Sequence, residues 1–130
     1  MPQQVAAAAV IYAKDMLRVG KFYEAIAGLA VTEAEAGHIV LEANGFQLTI
    51  VAMPAHVAAG VEVANPPLRR EGTPVKLVHF VPGIAAIREQ VANLGGQLNP
   101  ADREWQFQGA RVCDGHDPEG NVFQLRERAP

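Results

Sequence analysis

Cysteine is nearly absent: Cys113 is the only one in 130 residues. One thiol closes no intramolecular disulfide and builds no cysteine-based zinc cluster, a usage that fits a reducing cytoplasm. The sequence offers Cys113 no support as a nucleophile, and an inert, partly buried thiol is expected. Positive charge is also scarce. Lys and Arg number 11 against 14 Asp and Glu, for a net charge of −3, which argues against the basic face that a nucleic acid or an anionic membrane surface requires. The local basic pair Arg69-Arg70 precedes Glu71 in a proline-rich stretch and reads as a solvated linker. The uncharged stretch Met1 to Ala13 lacks a basic leading region and is far shorter than the ~20 residues of a membrane-spanning helix. It is expected to form a first strand. A glycine-rich phosphate loop is missing too: Gly95-Gly96 closes a helix instead of opening one, so nucleotide cofactors are not expected.

What the chain does have is a hydrophobic content of 49%, enough at this length to bury a core without covalent staples. It also has a repeat. Phe46-Gln47-Leu48 after Asn44-Gly45 recurs as Phe123-Gln124-Leu125 after Gly120-Asn121. Each copy closes a segment with the same succession of strand-like and helix-like runs.

In the first copy, the run Val5 to Ala13 stops at Lys14-Asp15, and Asp15 is a suitable N-cap. Val19, Phe22, Tyr23 and Ile26 then fall on one helical stripe that Gly28 ends. Three strands follow over 30–36, 38–43 and 46–53, the last two joined by Asn44-Gly45, a strong hairpin signal. Residues 54–74 carry Pro54, Pro66, Pro67 and Pro74 with no sustained period, and read as a linker. The second copy opens with 75–81 and turns at Pro82-Gly83. Ile84, Ile87, Val91 and Leu94 then share one helical face that Gly95-Gly96 terminates. Strands are expected over 97–99, 104–114 and 121–126, with Asp117-Pro118-Glu119-Gly120-Asn121 as the turn before the last. The fold class is α+β: two tandem βαβββ modules, about 1–53 and 75–130, in a single domain over 1–130.

This order, the Phe22-Tyr23 pair inside a helix that opens after an acidic residue, and the Asp117-Pro118-Glu119-Gly120-Asn121 turn resemble the vicinal oxygen chelate superfamily. That superfamily includes glyoxalase I, extradiol dioxygenases, fosfomycin-resistance enzymes and bleomycin-resistance proteins. The resemblance covers essentially the whole chain. It implies two half-barrels of mixed sheet around a cleft, helices outside, and a homodimer.

Strand alternation then sorts the side chains. Gln124 shares a face with Val122 and Arg126, and Gln47 with Thr49, Val51 and Met53. On the opening strands the matching sets are Ala8, Val10 and Tyr12, and Lys76, Val78 and Phe80. Metal-dependent members of the superfamily place a His or Gln early on each opening strand and a Glu on each closing strand. Here those positions fall at Ala8, Lys76, Gln47 and Gln124. Alanine has no donor atom, a protonated lysine repels a cation, and neutral amides bind hard divalent ions less well than carboxylates do. No metal or other cofactor is therefore expected. His79 is expected in the core and His38 and His56 in solvent. His116, beside Asp114 and Asp117, is the remaining metal candidate.

The resemblance and the residues together imply a metal-free small-molecule binder of the bleomycin-resistance type, with Tyr12, Gln47, Lys76, Phe80, Trp105 and Gln124 as ligand-binding residues. Lys76 either anchors an anionic or carbonyl group or lays its stem on the sheet in solvent. Trp105 and Phe107 either line the cavity or are plain strand packing. The alternative is a glyoxalase- or dioxygenase-like lyase, isomerase or oxygenase. It would use a divalent metal held elsewhere, or Lys76 as base or Schiff-base amine. A third reading is a structural partner protein with a vestigial cleft.

Overall fold

The structure is a computed structural model that describes residues 4–128. Its contacts divide the chain into two compact units, residues 1–62 and 63–130.

In the first unit, Asp15 precedes helix α1 (Met16–Ala27), and its Oδ1 accepts the Arg18 N–H at 3.1 Å, satisfying one of the open donors of the first turn. Gly28 ends the helix in the left-handed region at φ 66°, where a side chain would be strained. The expected stripe Val19, Phe22, Tyr23 and Ile26 is buried. Strands β1 (Ala7–Ala13), β2 (Ala30–Ala34), β3 (His38–Ala43) and β4 (Phe46–Ala52) form a sheet in the order β1-β4-β3-β2, with β1 parallel to β4. Ile39, Leu41, Leu48 and Ile50 point to the helix side and are buried. Each fully buried aliphatic side chain contributes roughly 1.5–3 kcal/mol. Gly20 lets α1 settle on this face, since a Cβ there would stand 2.9 Å from Ile39 Cδ1. Asn44 and Gly45, at φ 52° and 81°, make the tight β3–β4 turn.

The second unit repeats the plan. Strand β5 (Leu77–Val81) runs parallel to β9 (Val122–Arg128), which pairs antiparallel with β8 (Ala110–His116). Helix α3 (Ile84–Asn93) covers one face and buries Ile84 and Val91. Gly83 offers no side-chain cap. The Glu127 carboxylate of β9 takes that role, accepting the Ile84 N–H at 2.7 Å. At the other end the Gly95 N–H donates to Ala92 O and the Gly96 N–H to Val91 O, with Gly95 at φ 95°, a Schellman closure.

Two expectations need correction. Residues 104–114 do not form one strand. They fold as a hairpin, β7 (Trp105–Phe107) against β8, turning at Gln108 and Gly109 with φ of 50° and 76°. Trp105 and Phe107 alternate in one phase and Ala110 and Val112 in the other, so the period slips by one at the turn, and an isolated glycine in a strand-like run reads equally as a bulge. Strands β6 (Gln97–Leu98) and β7 take successive stretches of the same edge of β8, with a 3-10 turn at Ala101–Arg103 between them. The βαβββ order therefore survives with its second strand interrupted. Neither sheet closes into a barrel.

The second correction concerns the linker. Residues 55–58 form the short helix α2 (Ala55–Ala58). Arg69 is half-buried and Arg70 exposed, yet both are also engaged: Arg69 Nη1 donates to Asn99 Oδ1, the Arg70 N–H to Gly120 O at 2.8 Å, and Arg70 Nε to Glu119 O at 3.2 Å. Arg69 thereby docks at the end of β6, and Arg70 on the turn before β9. There Asp117 is fully buried, and its carboxylate accepts the Glu119 and Asn121 N–H groups and the Asn121 side-chain amide at 2.8–3.0 Å.

Candidate functional site

Within each unit the sheet has one face under a helix and one face without. Register assigns side chains to these faces directly, because cross-strand partners point the same way. In the first unit Ala8 lies beside Gln47, Val10 beside Thr49 and Tyr12 beside Val51, with Glu42 on the other side of Gln47. These stand on the helix-free face, where Tyr12 is 61% exposed. Gln47 Nε2 donates to Glu42 Oε2 at 3.2 Å, and Thr32 Oγ1 donates to the same oxygen at 3.1 Å.

The second unit carries the matching pair one repeat later. Asp114 lies opposite Gln124 as Glu42 lies opposite Gln47, and Gln124 Nε2 donates to Asp114 Oδ1 at 3.1 Å. Val78 flanks Gln124 as Ala8 flanks Gln47. The register thus corrects the expected correspondence of Ala8 with Lys76. Lys76 precedes β5 and reaches the same face from its end, placing Nζ 2.6 Å from Asp114 Oδ2. Arg126 Nε donates to Gln124 Oε1 at 2.8 Å, completing a chain Lys76–Asp114–Gln124–Arg126.

Further along this face Phe80 pairs with Arg126, and Phe107 with Ala110, which in turn pairs with Arg128. The Arg126 guanidinium lies 4.9 Å from the Phe107 ring centroid and 5.9 Å from that of Phe80, and Arg128 lies 4.3 Å from Phe80. Together with the Gln108-Gly109 turn they line a hollow of about 360 Å³, within the size range of small-molecule sites. Trp105 shares this face, opposite Val112 and hence in the row of Arg126 and Phe80, but it does not line this hollow. It lines a separate hollow of about 280 Å³ with Glu104, Gln106 and Arg111. There Glu104 is paired with Arg88 and, at 3.6 Å, with Arg111.

Of the expected binding residues in the second unit, the structure brings Phe80 to the larger hollow, Gln124 and Lys76 to the polar chain that leads to it, and Trp105 to the same face but beside the smaller hollow. Tyr12 and Gln47 stand on the helix-free face of the first unit. Asp114 and Arg128 were missed. Arg126 was assigned to the right face without a role, although Gln124, Arg126 and Arg128 at period two are a readable polar series.

In each unit the positions that the resemblance assigns to a metal offer poor donors. Ala8 and Val78 have no donor atom, both glutamines are hydrogen-bonded to neighbouring carboxylates, and a guanidinium occupies the oxygen of Gln124. These residues do not fit a divalent ion, which favours several free carboxylate or imidazole donors. Among the described residues no cluster of three or more His, Cys, Asp or Glu could hold a metal ion.

The histidines divide. His79 is buried on the helix side, its ring edge-on to Phe123 at 6.5 Å, and burial lowers its pKa to about 4. His116 is buried, with Nδ1 3.1 Å from Asp117 O. His56 is exposed, and His38 pairs with Glu33 in a contact that is itself exposed to solvent. Cys113 is buried, and desolvation pushes its thiol pKa up, against a smaller opposing contribution from Arg88. That is the environment of an inert thiol.

The glyoxalase-like domain family matches residues 8–126. Among solved structures, a glyoxalase-related enzyme from Fulvimarina pelagi is 21% identical with a TM-score of 0.67, over 97% of this chain and 89% of that one. A bleomycin-binding protein complexed with bleomycin is 18% identical with a TM-score of 0.60, over 98% and 100%. A fosfomycin resistance protein from Mesorhizobium loti is 12% identical with a TM-score of 0.62, over 99% and 95%. At these identities the likeness is one of fold. No curated protein sequence matches the chain significantly.

Proposed function

The chain belongs to the glyoxalase-like domain family, within the vicinal oxygen chelate superfamily, and on that premise we propose that it is a metal-free small-molecule binding protein. The observation that carries the reading is the hollow of about 360 Å³ on the helix-free face of the second unit. Exposed aromatic rings there meet a few fixed polar groups, the usual composition of a ligand site. What supports the absence of a metal is the donor set: two aliphatic residues and two engaged amides where metal-dependent relatives need ligands. The presence of a bleomycin-binding protein among the structural relatives is consistent with binding as a role for this fold, although fold alone does not fix function.

An amine-based mechanism through Lys76 has less to stand on. A Schiff-base or general-base lysine needs a free amine facing the substrate, and Lys76 Nζ donates instead to Asp114 at 2.6 Å. Its role in this reading is to hold Asp114, and through it Gln124, in place.

Native mass spectrometry of protein purified without chelator tests the proposal. A metal-free species carrying an organic adduct is the expected result, and the same spectrum reads the expected homodimer. One divalent ion per chain retained through dialysis would overturn the metal-free reading and put an enzyme in its place.

A further inference from the structure

We infer that the hollow between Phe80 and Phe107 is a seat for a planar aromatic anion, with Arg126 and Arg128 receiving its carboxylate. The inference rests on the small-molecule reading above and names the chemical class of the ligand.

Charge balance is the first ground. On this face Lys76 and Asp114 neutralise one another at 2.6 Å. Glu127 lies between the two arginines in sequence, but it alternates to the other face and caps α3 through Ile84. Among the described residues neither Arg126 nor Arg128 forms an ion pair. Two permanent cations two residues apart on one strand, with no carboxylate paired to them among the described residues, leave a local excess of positive charge that an anion would relieve. The smaller hollow beside Trp105 differs in this respect, since Glu104 there is already held by two arginines.

Geometry is the second ground. Arg126 spends Nε on Gln124 at 2.8 Å, which fixes the plane of its guanidinium and leaves its terminal nitrogens to donate. A guanidinium oriented in this way matches a carboxylate with two parallel hydrogen bonds, whereas a neutral amide offers one acceptor and no charge. The rings of Phe80 and Phe107, 49% and 46% exposed, supply apolar surface on which a flat ring can stack. The arginines already lie against these rings at 4.3–5.9 Å. The ligand would exchange part of that cation–π contact for stacking while its charged end meets the guanidinium groups.

The test is calorimetric titration of the full chain with 2-naphthoate and with its neutral isostere 2-naphthamide, repeated on Arg126→Gln, Arg128→Gln and the double variant. Circular dichroism verifies that each variant is folded. Naphthoate is expected to bind about tenfold or more tightly than naphthamide, from a charge-assisted pair of hydrogen bonds. The double variant should bind the two compounds alike, and Phe80→Leu should weaken both. Equal affinities for the unaltered chain overturn the anion seat, as does a preference that persists in the double variant or a failure of both compounds to bind. In those cases an organic adduct in the native mass spectrum would leave the broader binding reading standing. A spectrum without an adduct would remove that reading as well.

Discussion

A few single residues carry more of this fold than their size suggests. Gly115 on β8 sits where a Cβ would fall 2.7 Å from Leu98 Cδ2 and 2.8 Å from Gln97 O, so a methyl group must push β6 away from its neighbour. Gly115→Ala should destabilise the protein by about 1–3 kcal/mol, the usual cost of overpacking, read as a lower urea midpoint with unchanged slope. An unchanged midpoint would mean that β6 moves freely. His79 makes a different prediction. Its pKa is lowered from 6.5 to about 4 by burial, so between those values the unfolded chain takes up a proton that the native state refuses. Stability due to this residue is intact above pH 6.5 and falls as the pH drops toward 4, by about 3 kcal/mol in total. His79→Leu should flatten that part of the pH–stability profile relative to the unaltered chain. A profile of the same steepness in both proteins would assign the acid sensitivity to carboxylates instead.

At the scale of elements, α3 depends on a residue outside itself. Its start lacks a side chain able to cap, and Glu127, 43 residues further on, accepts the Ile84 N–H at 2.7 Å. Glu127→Ala should cost about 1 kcal/mol, in the range of cap removals, and amide exchange should rise in the first turn of α3 before it rises elsewhere. Uniform exchange changes would rule out a local cap. The turn before β9 is a second case. Asp117→Ala removes the acceptor of three hydrogen bonds at a fully buried position. A loss of about 2–4 kcal/mol is expected from leaving those donors unsatisfied, measured by thermal unfolding. This turn and helix α1 could be read from sequence, because caps, glycines and the apolar stripe act locally. The hairpin at Gln108-Gly109 is harder to read, since apolar residues resume directly beyond Gly109 and a lone glycine within a strand-like run also reads as a bulge. The cap from Glu127 was equally hidden, because nothing in a linear reading brings β9 to the start of α3.

For the whole molecule, the duplication was legible and the distribution of chemistry within it only partly so. Repeat order, strand faces and the Gln47–Gln124 correspondence follow from periods and a shared tripeptide. The opening-strand partner of Gln124 did not, since counting from the helix start chose Lys76 where register chooses Val78. The linker was judged by composition alone, which cannot register that Arg70 bonds to Gly120 and Glu119. Limited digestion with a broad-specificity protease should make its first cut between Gly60 and Asn65, ahead of the docked arginines, and mass spectrometry of the fragments reads the site. A first cut in the β7–β8 hairpin would show that the docked segment extends further back.

Register also says what the two copies do not share. Beside Gln47 the first unit continues with Thr49 and Val51, where the second continues beyond Gln124 with Arg126 and Arg128. The two units share a plan, yet only the second carries the arginine pair on its helix-free face. On the proposed reading, an anionic guest is taken up by the second unit alone, so saturation comes at one guest per chain although the plan is copied twice.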